Sequence, residues 1–122
     1  MTDVIDQSRI ETAGMPRRSY RQFMYVVLLT FTAPMEEVDY ALPDHAKWLE
    51  KHFQAGEFLA AGRCNPREGG VILTRPMSRA KLEAILCLDP FALQHLATYE
   101  IVEFAATRTA PELSALNEAV LA

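Results

Sequence analysis

The sequence is sparing with residues able to move a proton, hold a metal or attack a carbon. It has three histidines (His45, His52 and His95) and two cysteines (Cys64 and Cys87) in 122 residues. His45 is the informative one. It falls on an apolar stripe between Leu42 and Leu49, where an imidazole needs a hydrogen-bond partner. Imidazole titrates near neutrality, at about 6.5, so a neutral, half-buried ring can accept a proton as a general base must. Asp89, in Asp89-Pro90-Phe91, offers a second group. Its carboxylate is placed to cap the turn that follows. Brought to His45, it would also hold one ring N–H, fix the tautomer and stabilise the imidazolium. Spacing alone leaves open the plainer alternative of a core histidine bonded to a carbonyl or water, with Asp89 only a cap.

Other groupings carry less chemistry. His45 and His52 lie near one helix face and with Asp89 make an imaginable ligand set, yet the chain has no H-x-x-x-H and no C-x-x-C, so no metal is expected. Trp48, Tyr40 and Phe91 are candidates to line a ligand pocket, although aromatic residues at helical spacing are more often core. Arg63 and Arg67 flank a hairpin and are either ligand anchors or solvated rim charges. Cys64 reads as a bystander thiol, His95 as a polar residue on the turn after Phe91, and Gly69-Gly70 as part of a hairpin turn with no bearing on phosphate.

These side chains need a scaffold. Met24 to Thr32 is short, rich in Val, Leu, Tyr and Phe and bounded by Ala33-Pro34, which predicts a strand. Tyr25, Val27, Leu29 and Phe31 share one face, Met24, Val26 and Leu28 the other, so both faces should be covered. Helical spacing of Val38, Leu42, His45, Leu49 and Phe53 follows, interrupted by Pro43. Proline suits a first turn, so a short segment over 35–41 and a main helix restarting near Pro43 and ending at Gly56 are expected. His45 would then sit in a first turn, where the helix dipole favours neutral imidazole.

Residues 57–64 and 71–74 read as a hairpin around Asn65-Pro66-Arg67-Glu68-Gly69-Gly70. Ser78 caps a helix over 79–88 with Leu82, Ile85 and Leu86 as its stripe, residues 99–106 form a fourth strand, and 110–122 hold a weak last helix. The order β-α-β-β-α-β is the α+β, ferredoxin-like arrangement, a four-stranded antiparallel sheet with two helices on one face. Two helices leave the other face bare. A second subunit packing sheet to sheet is the simplest cover, giving a homodimeric α+β barrel whose enclosed space holds a small ligand. The monomeric alternative is an arm or C-terminal helix folded over the sheet.

Composition sets the boundaries. Half the residues are apolar and 23% are charged, the balance of a single globular domain, read as residues 24–110 between an extension over 1–23 and a tail over 111–122. The extension carries Arg17-Arg18 before an apolar run, but that run is short, has no A-x-A-like cleavage site and is needed as a strand, so an export signal is set aside. Twelve basic against sixteen acidic residues give a net charge of −4, which argues against nucleic acid, and no apolar run approaches the ~20 residues of a membrane span. Two cysteines without a pairing pattern fit a cytoplasmic protein with reduced thiols.

Several ordered blocks carry a resemblance. Pro43-Asp-His-Ala-Lys-Trp-Leu49, Ala55-Gly-Glu-Phe-Leu-Ala-Ala-Gly-Arg63, Gly69-Gly-Val-Ile-Leu73, Leu88-Asp-Pro-Phe-Ala92 and Tyr99-Glu-Ile-Val-Glu-Phe104 together resemble the YCII-related (YciI-like) family over roughly Met24 to Thr109. The resemblance implies a dimeric ferredoxin-like domain with an active site built on a histidine and an aspartate, here His45 and Asp89. It departs from an Arg-Pro-x-His pattern in having Leu42 before Pro43, and Arg63 and Arg67 are the candidate replacements for that arginine.

The leading expectation is a small enzyme of lyase, isomerase or hydrolase type, with His45 as base or acid, Asp89 as its orienter, and Arg63, Phe91 and Trp48 against the substrate. No cofactor is implied. The alternative is a non-catalytic ligand-binding or accessory dimer. An oxygenase would require haem or a substrate that reacts directly with oxygen, and no haem ligand stands out.

Overall fold

In a computed structural model the protein is described over residues 22–118. The expected extension lies outside the described residues except for Gln22 and Phe23, as do the last four residues of the tail. The elements are β1 (Met24–Phe31), α1 (Met35–Gln54), β2 (Phe58–Arg63), β3 (Gly69–Thr74), α2 (Arg79–Cys87), α3 (Pro90–Leu93) and β4 (Ala97–Phe104), followed by a 3-10 turn at Pro111–Leu116. The sheet order is β2-β3-β1-β4 with every neighbouring pair antiparallel. This is the ferredoxin-like α+β fold read from the sequence.

Alternation along β1 does what its residue types require. Tyr25, Val27 and Leu29 are buried on one face, where they join Ile72 of β3, Val38, Ala41 and Trp48 of α1, and Leu82, Ile85 and Leu86 of α2 in the main core. Ser78 caps α2 by accepting from the Lys81 N–H at 3.1 Å, as expected. On the opposite face Met24 joins a smaller cluster with Ala106 and Leu116, packed by Leu59, Leu73 and Phe104. The C-terminal segment therefore covers one end of the outer face. Over Pro111–Leu116 it does so as a 3-10 turn in place of the first part of the expected helix, and residues 119–122 lie outside the described residues.

The expected break near Pro43 is absent. A single helix, α1, runs through the proline from Pro34, whose carbonyl accepts the Glu37 and Val38 N–H groups. Pro43 removes one helical hydrogen bond, that to the Asp39 carbonyl, and both residues are exposed, so water can serve the freed group. Acidic Glu36 and Glu37 in the first turn and basic Lys51 in the last complement the helix dipole. The buried stripe is also displaced by about one residue. It is Val38, Ala41, His45, Trp48 and His52, while Leu42 is 38% exposed.

The end of α1 matches expectation. Gly56, at φ +77°, donates to Phe53, and the Glu57 N–H returns to the His52 carbonyl at 2.9 Å. Those two bonds form a Schellman cap, and glycine is the residue that adopts this backbone without strain.

Candidate active site

His45 is well inside α1, not in a first turn, so the expected contact with the helix N-terminus is absent. Its ring meets a carboxylate instead. His45 is 8% exposed, and its Nδ1 lies 2.7 Å from Asp89 Oδ1. Asp89 is fully buried at the N-cap of α3, where Oδ1 also accepts the Phe91 N–H at 3.0 Å. Cap and orienter, read from the sequence as alternatives, are one and the same group.

A third donor completes the carboxylate. Tyr99, on β4, donates its hydroxyl to Asp89 Oδ2 at 2.5 Å. Burial first, then the hydrogen bond to Asp89 and the repulsion of its charge, raise the Tyr99 phenol well above the ordinary tyrosine range. The phenol therefore stays protonated and remains a donor. An ionised carboxylate only accepts, so with Tyr99 and the Phe91 N–H as donors the third bond takes its proton from imidazole Nδ1. That fixes the tautomer, with Nε2 as the basic nitrogen. Among the described residues Nε2 makes no hydrogen bond.

The ring is clamped as well as bonded. Phe91 stacks on His45 with centroids 4.0 Å apart and planes within 10°, and Phe31 meets Phe91 edge-on at 5.6 Å. An imidazolium formed here would lie on the face of an aromatic ring, which favours positive charge.

His45 and Phe91 form part of the wall of a cavity of about 220 Å³, with Leu29, Phe31, Leu42, Leu49 and Phe53 as its apolar sides and Arg63 and Arg67 also lining it. The cavity lies on the helix side of the sheet, under α1, and not in a space between paired sheets. The reason is in β2 and β3. Arg63 and Leu29 both pair with Gly70, and Ala61 pairs with Ile72, so small residues stand opposite α1 where larger ones would fill the gap. Close strand contact demands the glycines: a Cβ on Gly69 would fall 1.7 Å from the Leu29 carbonyl oxygen, and one on Gly70 2.8 Å from that of Gly62.

Of the residues expected at the site, His45, Asp89 and Phe91 come together, and Arg63 lines the same cavity. Trp48 does not reach it. Its ring is buried between His45 and His52, and Nε1 donates to the Ile85 carbonyl at 3.2 Å, which ties α1 to α2. A large ring on the buried stripe is used for packing, the commoner fate at that spacing. Tyr40 is exposed. His52 turns to Glu57, Nδ1 to Oε1 at 2.5 Å, and shares no ligand set with His45. His95 is an exposed turn residue at φ 58°, as read.

Tyr99 was missed. The signal was available: alternation in Tyr99-Glu-Ile-Val-Glu-Phe104 puts Tyr99 on the face of Ile101, and a tyrosine on a buried face brings a hydroxyl that needs a partner.

Fold and site together define a ferredoxin-like domain that presents a buried histidine–aspartate pair to an apolar cavity. The family model of the YCII-related domain matches residues 24–105, and the chain belongs to that family. Comparisons with curated proteins and with solved structures found no match. Among the described residues no helix is long and apolar enough to cross a membrane.

Proposed function

We propose that the protein is an enzyme that moves a proton on a small ring-containing or carbonyl-bearing metabolite, with His45 Nε2 as the base. Asp89 holds Nδ1–H, and Tyr99 and the Phe91 N–H hold Asp89. In a forward step the substrate C–H or O–H gives its proton to Nε2, the imidazolium is stabilised by Asp89 and Phe91, and the proton returns to product or leaving group. Elimination and isomerisation share that step, and in hydrolysis the same nitrogen would take the proton from the attacking water and pass it to the leaving group. The carrying observation is the 2.7 Å contact between a fully buried carboxylate and a histidine that lines a cavity. A carboxylate with three donors is arranged to orient its partner rather than to react itself.

The rest of the reading concerns setting. Val26 and Leu28 are only half-buried on the outer sheet face and Val102 is 45% exposed there, so a second copy of the chain, packed sheet to sheet beyond the patch that Leu116 covers, completes the proposed homodimer. Cys64 and Cys87 are unpaired, in keeping with a reducing cytoplasm.

Proton abstraction can be tested without knowing the reaction. A panel of small cyclic and acyclic carbonyl compounds is incubated with the protein in deuterated water and followed by proton NMR. The expected result is enzyme-dependent deuterium incorporation into at least one compound, lost in His45→Ala and Asp89→Asn. Incorporation that survives both substitutions would overturn the assignment.

A further inference from the structure

The cavity beside His45 has an unusual charge for this chain. The protein carries a net charge of −4, yet among the described residues no aspartate or glutamate lines the cavity, while Arg63 and Arg67 both do. The two come from different ends of one hairpin. Arg63 closes β2 and Arg67 lies in the loop before β3, so one hairpin contributes both arginines to the cavity lining.

Arg67 is held in place but under-used. Its Nη2 donates to Asp39 Oδ1 of α1 at 2.7 Å, and its guanidinium carbon lies 6.0 Å from the Phe31 ring centroid. Those contacts fix the group at the cavity. They leave the Nε–H buried without a hydrogen-bond partner among the described residues. A buried donor without an acceptor is unfavourable, so the protein's own contacts do not fully satisfy this guanidinium. An arginine fork is met best by a planar carboxylate, which can take two of its N–H groups at once. Among the described residues no acid lines the wall, so a ligand carboxylate is the anion that would complement the arginines at this cavity.

Size and lining narrow the class. An apolar cavity of about 150 Å³ accepts benzene. The present 220 Å³ has room for a single ring and one small substituent, against the aromatic rings of Phe31 and Phe91. We propose that Arg67, assisted by Arg63, anchors the carboxylate of a small, flat organic acid whose body lies along Phe31 and Phe91 and reaches His45. This rests on the cavity being the substrate site, as proposed above, and adds the substrate class: a monocarboxylate of about one ring.

Benzoate, its neutral isostere benzamide and inorganic phosphate are titrated into the full chain and followed by NMR chemical shifts. Benzoate is expected to give saturable shifts at cavity residues, with benzamide and phosphate each about tenfold weaker, one lacking the charge and the other the apolar body. Arg67→Gln should weaken benzoate about tenfold and leave benzamide unchanged. Arg67→Lys, which keeps the charge on a less rigid chain, should restore part of the loss and serves if the first variant fails to fold. No saturable benzoate shift, equal binding of benzoate and benzamide, tighter binding of phosphate than of benzoate, or indifference of benzoate to both substitutions would each overturn the carboxylate subsite. The two proposals fail separately. Arg67-dependent benzoate binding without deuterium incorporation from any compound would leave the subsite standing and remove the proton-transfer reading. His45-dependent incorporation that is indifferent to Arg67 would do the reverse.

Discussion

Two histidines seven positions apart on one helix, His45 and His52, have nearly the same first neighbour. Each is 8% exposed, and each sets Nδ1 against a carboxylate, Asp89 at 2.7 Å and Glu57 at 2.5 Å. What differs is the second oxygen and the space beyond the ring. Asp89 gives its other oxygen to the neutral Tyr99 hydroxyl, and His45 lines a cavity. Glu57 gives its other oxygen to the Lys81 ammonium at 3.3 Å, and His52 is packed against Trp48 and Phe58. One carboxylate keeps its charge for the histidine. The other shares it with a lysine and ties the end of α1 to α2. A histidine–carboxylate contact alone therefore does not mark a site; a neutral second partner and an open cavity distinguish the first pair from a structural clamp.

The sharpest way to break that contrast is substitution at both pairs. His45→Ala and Asp89→Asn should lower turnover by about 10²- to 10⁴-fold, the usual contribution of a positioned acid or base. His52→Ala should leave turnover within a small factor and instead lower the melting temperature, since a buried hydrogen-bonded group is lost at about 1–3 kcal/mol. Equal effects on turnover at the two histidines would erase the distinction.

A smaller effect sharpens it. Tyr99→Phe removes one donor from Asp89 without touching the histidine, so turnover should fall about tenfold, the worth of one charge-assisted hydrogen bond. The NMR signals of the His45 ring should move with it, because Asp89 would lose one of the donors that hold it in place. A drop in stability with unmoved His45 signals would make Tyr99 a packing residue only.

Stability against pH separates the pairs at opposite ends of the scale. The raised phenols of Tyr99 and Tyr25, the latter lifted by burial and then by Glu103, keep their protons in the folded chain. Above the ordinary tyrosine value of about 10 the unfolded chain releases protons that the folded chain retains, so stability should fall as pH rises through that region. Tyr99→Phe should flatten the alkaline limb in denaturant titrations.

The smallest effect concerns Glu57. Burial pushes its carboxyl up, but the hydrogen bonds and charges of His52 and Lys81 outweigh this and hold it below the usual range. Its contribution is present above the ordinary glutamate value of about 4.3 and is lost as pH falls below it, and Glu57→Gln should remove that part of the acid limb.

Much of this was legible in the sequence, for identifiable reasons. Period-two burial in β1, the Gly56 stop, the Ser78 cap and Asp-Pro at the start of α3 are local signals, and the elements they mark are all present. Pro43 misled because its cost depends on which side of the helix faces water, a tertiary property. The displaced stripe has a related cause: Leu42, Leu49 and Phe53 have the right spacing, but they line the cavity, while Trp48 and His52 take the core. His45 and Asp89 were found by type and context. The Asp39–Arg67 contact that fixes one arginine, and the gap left by Ala61 and Gly70 under α1, arise from strand pairing and have no local signature.

The central claim is that Asp89 holds His45 in the Nδ1–H tautomer and leaves Nε2 as the base at the cavity. Nitrogen-15 NMR of the histidine side chains at pH 8 reads this directly. The expected result is a protonated Nδ1 and an unprotonated Nε2 at His45, with the Nε2 signal moving on addition of a cavity ligand and the preference lost in Asp89→Asn. A His45 that carries its proton on Nε2, or whose Nε2 ignores the ligand, would contradict the assignment.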